Sequence, residues 1–77
     1  MKADATLDTL GFYCPVPLLK TSEKMKELKV GQVLMVLSDD REVLYDFPAW
    51  CKSTGNRVLK VAEEKGEYRL YIQKMVE

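Results

Sequence analysis

The chain has 77 residues, with 12 Lys and Arg against 12 Asp and Glu and no histidine. A balanced charge argues against strong nucleic-acid binding, which draws on a basic excess. The lack of histidine removes the commonest general base and the commonest metal ligand. Residues 1–77 are expected to form a single domain; a chain this short buries only about 60% of its unfolded surface and leaves no room for a deep substrate cavity.

Residues 5–10 alternate loosely and carry two threonines, which predicts a first strand. Gly11 then marks a turn. A first helix is predicted from Pro15 to Leu28, with Leu18, Thr21, Met25 and Leu28 as its buried stripe. Lysines crowd its second half, where cations suit the negative end of the helix dipole. Gly31 is the stop signal.

The continuous apolar run Val33–Leu37, closed by Ser38, fits a central strand. Asp39 and Asp40 end it and are placed to cap the next element. Val43, Leu44, Phe47, Trp50, Cys51 and Thr54 keep a helical period that Pro48 interrupts. This allows two readings: a turn at 41–46 with Asp46 capping a short helix, or one kinked helix. Gly55 suits the left-handed stop. Residues 57–63 and 67–75 read as two strands joined by a hairpin at Glu64-Lys65-Gly66, and Tyr68, Leu70 and Ile72 mark the buried face of the second. The order β-α-β-α-β-β gives an α/β (α+β) two-layer sandwich: a four-stranded mixed sheet with both helices on one face.

The longest apolar run is far too short to span a bilayer and the N-terminus shows no signal-peptide pattern, so a cytoplasmic protein without membrane insertion is expected. Its two cysteines should then be reduced thiols. Cys14 lies where the strand-like segment gives way to the helix-like one. A thiol at a helix N-terminus has its pKa lowered by unpaired N–H groups and the dipole. Pro15 has a preset φ and loses no hydrogen bond in the first turn. Because a residue before proline resists the α conformation, Val16 can delay the regular helix until position 17. The N–H groups of Val16 and Leu18 are the donors expected to face the sulfur.

Without a histidine to pair with, Cys14 does not fit a Cys–His hydrolase; direct attack of a thiolate on sulfur fits better. Cys51 falls on the apolar stripe of the second helix and reads as a packed core thiol. Asp39, Asp40, Glu42 and Asp46 read as solvated, helix-capping carboxylates, and two cysteines without histidine make a poor zinc site. No metal and no cofactor are expected. Phe12 and Tyr13, with Lys20 and Lys24 on the first helix, are docking candidates around Cys14.

Leu7-Asp8-Thr9-Leu10-Gly11 followed by Cys14-Pro15-Val16-Pro17 resembles the TusA/SirA-like sulfur-carrier family, whose mark is a Cys-Pro-x-Pro motif at the start of the first helix. The similarity continues through Asp39-Asp40 and Asp46-Phe47-Pro48-Ala49-Trp50-Cys51. The resemblance implies a carrier that accepts sulfane sulfur from a cysteine desulfurase or another donor protein. It would hold that sulfur as a persulfide on Cys14 and relay it to a sulfur-accepting partner, in tRNA thiolation or other sulfur or selenium trafficking. Such a protein transfers sulfur without being a self-sufficient enzyme. Tyr13 and Val16 stand where tRNA-pathway members carry arginine and glutamate. The alternative is a non-catalytic interaction or regulatory module for a sulfur-compound transporter or other sulfur protein.

Overall fold

The computed structural model describes residues 2–13 and 15–76. Its elements are β1 (Ala5–Asp8), α1 (Val16–Met25), β2 (Val33–Ser38), α2 (Val43–Thr54), β3 (Arg57–Glu64) and β4 (Glu67–Gln73). The sheet order is β1-β2-β4-β3; β1 runs parallel to β2, and the other two pairings are antiparallel. This is the expected four-stranded mixed sheet with two helices.

The period-2 alternation of each strand decides which residues enter the core. Leu34 and Val36 of β2 stand opposite Ile72 and Leu70 of β4, and all four are fully buried. On the other side of β2, Ala5 and Leu7 pair with the same two β2 residues and add half-buried cover. Phe47, Val43 and Cys51 of α2 and Met25 of α1 complete the core. Phe47 also meets Trp50, with ring centroids 6.5 Å apart.

The hairpin between β3 and β4 is tight because Lys65 and Gly66 both take positive φ, 51° and 79°. Two left-handed central residues match the twist of the flanking strands. A register shift between Val58 and Lys60 leaves Leu59 extra on the edge strand β3, the kind of bulge that bends an edge.

Several predicted boundaries move, each for a local reason. β1 ends at Asp8, two residues early, because Leu37 C=O accepts both the N–H of Thr9 (2.7 Å) and its hydroxyl (2.6 Å), while Asp8 Oδ1 accepts the N–H of Leu10 and turns the chain. The first helix is shorter than 15–28 at both ends. It begins at Val16, so Pro15 is the N-cap and Pro17 is inside the first turn; the preference of a pre-proline residue does not delay it. After Met25 the bonds switch to i→i−3, from Lys26 to Glu23, Glu27 to Lys24 and Leu28 to Met25. The buried stripe is Pro17, Thr21 and Met25, with Leu18 and Leu28 only half-buried.

Residues 43–54 form one helix rather than a turn and a short helix, and Asp46 lies within it instead of capping it. Asp40 Oδ1 accepts the N–H of Glu42 at the start, and Pro48 is exposed, where water can reach the carbonyl its ring leaves unpaired. Gly55 closes the helix at φ +85°, donating to Cys51 C=O at 2.9 Å; a Cβ there would also lie 3.2 Å from Val76. β3 runs one residue further than expected, to Glu64. β4 stops at Gln73 rather than 75, because Asn56 Oδ1 takes the N–H of Met75.

Lys74, just past β4, closes the far end of α1. Its ammonium donates to the carbonyls of Met25 (2.9 Å), which also takes the N–H of Leu28, and of Leu28 (2.7 Å), so the last carbonyls of the helix end are satisfied from outside it. Lys74→Met should therefore lower stability by about 1–2 kcal/mol, read as a lower urea midpoint at unchanged slope.

Candidate functional site

The segment from β1 to α1 is held to the C-terminal end of β2. Thr9 is fully buried on Leu37 C=O, and the N–H of Gly11 donates to Asp39 Oδ1 at 3.1 Å. Gly11 takes φ +83° with nothing within 4 Å of a would-be Cβ, so conformation rather than clearance calls for glycine here. The N–H of Phe12 donates to Thr9 C=O at 3.2 Å. At the helix end of the loop, the N–H of Val16 donates to Tyr13 C=O at 2.9 Å, and Leu19 donates to Pro15 C=O. The Val16 amide is thus engaged with Tyr13 and is not the free donor expected to face a sulfur. Thr21 Oγ1 donates to Pro17 C=O, which ties the buried face of the first turn.

Cys14 itself lies outside the described residues. Its neighbours are exposed: Tyr13 at 76% and Leu19 at 61%, with Phe12 and Val16 also open to solvent. Together they make an apolar rim on the loop before α1 and on its first turn. Lys20 Nζ lies 4.8 Å from the centroid of the Phe12 ring, a cation–π distance. Among the described residues Lys20 makes none of the ion pairs, whereas Lys24 pairs with Glu27 and Lys26 with Glu23, both at 3.3 Å. Phe12, Tyr13, Val16 and Lys20 are thus brought to one end of α1, while Lys24 stands a turn further along. Lys20 and Lys24 line an open groove of about 420 Å³ between β1 and α1, with Leu7, Asp8, Leu19, Glu23 and Glu27.

Cys51 is a different kind of thiol. It is 2% exposed on the buried face of α2, and burial pushes its pKa from 9.0 up to about 11. This agrees with the sequence reading of a core residue. Among the described residues no group of three acidic, cysteine or histidine side chains is placed to hold a metal ion. No described helix is long and apolar enough to cross a membrane.

The model of the family described as sulfurtransferase TusA matches residues 5–74. The chain belongs to the TusA family. It is 44% identical over its whole length to a putative sulfur carrier protein of Aquifex aeolicus, of which it covers 39%, and 40% identical over 74 residues to a putative sulfur carrier protein of Bacillus subtilis, of which it covers 40%. The chain thus spans about two fifths of the length of these two relatives. The sulfur carrier protein TusA of Allochromatium vinosum is 37% identical, with 92% of this chain and 93% of that protein covered. The fold matches the crystal structure of a SirA-like protein from Desulfitobacterium hafniense at a TM-score of 0.80 and 23% identity, over 94% of this chain and 99% of that one.

Three features of this TusA domain were not visible as site features in the sequence: the Asp39–Gly11 bond, the exposure of Leu19 and the groove beside β1. Asp39 carries only a capping signal there, and Leu19 lies one position beyond the predicted stripe. The raised pKa of Cys51 has a consequence for stability. The folded thiol keeps its proton above the unfolded value of 9.0, so stability present below about pH 9 is lost as pH rises through about 11. Urea midpoints compared between wild type and Cys51→Ala from pH 8 to pH 11 should show this additional alkaline loss in wild type alone.

Proposed function

We propose that residues 1–77 act as one carrier domain that takes up sulfane sulfur on Cys14 and relays it to a partner protein. The observation that carries the reading is the contrast between the two cysteines. The residues before and after position 14, Phe12, Tyr13 and Val16, are exposed and apolar, while Cys51 is sealed in the core with its thiol held protonated. A thiolate is the form that attacks sulfur.

The transfer needs no oxidant. The Cys14 thiolate attacks the terminal sulfur of a donor persulfide, as on a cysteine desulfurase. A bond forms between Cys14 Sγ and that sulfur, the donor's sulfur–sulfur bond breaks, and the electron pair leaves on the donor thiolate. The proton of the terminal sulfur travels with it, and delivery to the acceptor protein repeats the exchange. The rim of Phe12, Tyr13, Val16 and Leu19 gives a protein donor an apolar footing, and Lys20 offers a cation to an acidic residue on it.

Incubation with a cysteine desulfurase and cysteine, followed by intact mass measurement, tests the reading. Wild type and Cys51→Ser should each gain sulfur, and Cys14→Ser none. Sulfur retained by Cys14→Ser would overturn it.

A further inference from the structure

The segment that carries Cys14 is held on both sides, and Phe12 N–H also bonds Thr9 C=O within the turn itself. On the helix side, Val16 N–H is bonded to Tyr13 C=O. On the strand side, Gly11 N–H is bonded to Asp39 Oδ1, a carboxylate 28 residues away in sequence. Cys14 lies three residues beyond Gly11 and two before the first helical residue. Gly11 itself is left-handed and its surroundings are open, so packing does not hold it. Asp8 also bonds a loop amide, that of Leu10, but from two residues away on the same strand, so it shapes the turn without anchoring it to another element. Among the described residues Asp39 is the one carboxylate from outside β1 and its loop that grips a loop amide. It follows directly on Ser38, the last residue of the central strand, and is therefore fixed by β2.

We propose that Asp39 is a positioning residue for sulfur transfer: by holding the Gly11 amide it sets the path of the loop toward the helix, and so the line on which the Cys14 sulfur meets a donor. The proposal rests on the carrier reading of Cys14. Small displacements of a reacting atom carry large rate penalties, because the attack needs a near-linear approach at close range. A tether that acts this way should change the turnover of a docked pair more than the docking, since Val16, Leu19 and Lys20 of the docking patch are held by α1 and not by the loop at Gly11. An acceptor oxygen is what the bond requires, so an amide should replace the carboxylate and a methyl should not.

Sulfur loading from a cysteine desulfurase charged with cysteine is measured for wild type, Asp39→Ala and Asp39→Asn. Asp39→Ala should lose roughly tenfold in kcat at unchanged KM for the desulfurase, and Asp39→Asn should stay within about twofold of wild type. Amide hydrogen exchange at Gly11 is followed in parallel: it should be slowed in wild type and Asp39→Asn, and fast in Asp39→Ala. Wild-type kcat in Asp39→Ala, equal losses in both variants, or a Gly11 amide that exchanges at the free-peptide rate in wild type each overturn the proposal. The exchange and Asp39→Asn data decide it even if Asp39→Ala does not fold. A wild type that takes up no sulfur defeats the carrier reading itself, and Gly11 exchange together with iodoacetamide alkylation of Cys14 then still reports whether Asp39 sets the loop.

Discussion

The carboxyl end of β2 holds the working end of the molecule together. Four consecutive residues there each take a partner. Leu37 C=O accepts twice from Thr9, Ser38 Oγ accepts the N–H of Asp40, Asp39 accepts from Gly11, and Asp40 accepts from Glu42 at the start of α2. Both helices are therefore launched from the same few ångströms of central strand. β2 can serve this way because it is paired on both sides and its inward side chains are fully buried. In sheets with parallel strands, ligands and reactive groups gather outside the carboxyl ends. Here the parallel pair is β1 and β2, and the loop bearing Cys14 leaves from that edge.

The proposed division of labour between the two thiols follows from the same architecture. α2 turns Cys51 inward against the sheet, where desolvation keeps it neutral and unreactive. The chain around position 14 instead faces outward, with apolar side chains that the core does not use. A chain of 77 residues has little core to spare, so leaving Tyr13 and Leu19 exposed is a cost in stability. Such exposure fits a surface that is covered intermittently by other proteins. Membership in the TusA family, whose relatives are named sulfur carriers, is consistent with that use.

Most of the fold was legible in the sequence because its signals are local. The apolar run at 33–38, the alternation of Tyr68, Leu70 and Ile72, and the Lys65-Gly66 turn each report on neighbouring residues and survive intact. What sequence could not supply came from contacts between distant residues. Lys74 caps α1 from 49 residues away, so the helix closes at Met25 although its periodicity runs on to Leu28. Pro48 is tolerated because it falls on the solvent side of α2, a fact about orientation rather than propensity. For the candidate site, the exposed aromatic side chains of Phe12 and Tyr13 and the nearby Lys20 were readable from their order along the chain. The anchoring of Gly11 by Asp39 was not, since nothing local links the two. The engaged amide of Val16 was also hidden, because it depends on how the loop turns at Tyr13.

The central claim is that position 14, and not position 51, carries the sulfur. The most direct measurement is tryptic peptide mapping, under non-reducing conditions, of wild-type protein exposed to a desulfurase and cysteine. Cleavage after Lys2 and Lys20 isolates Cys14 in residues 3–20, and cleavage after Arg41 and Lys52 isolates Cys51 in residues 42–52. The account predicts the added sulfur on the 3–20 peptide alone. Sulfur recovered on the 42–52 peptide, with 3–20 unmodified, would contradict it.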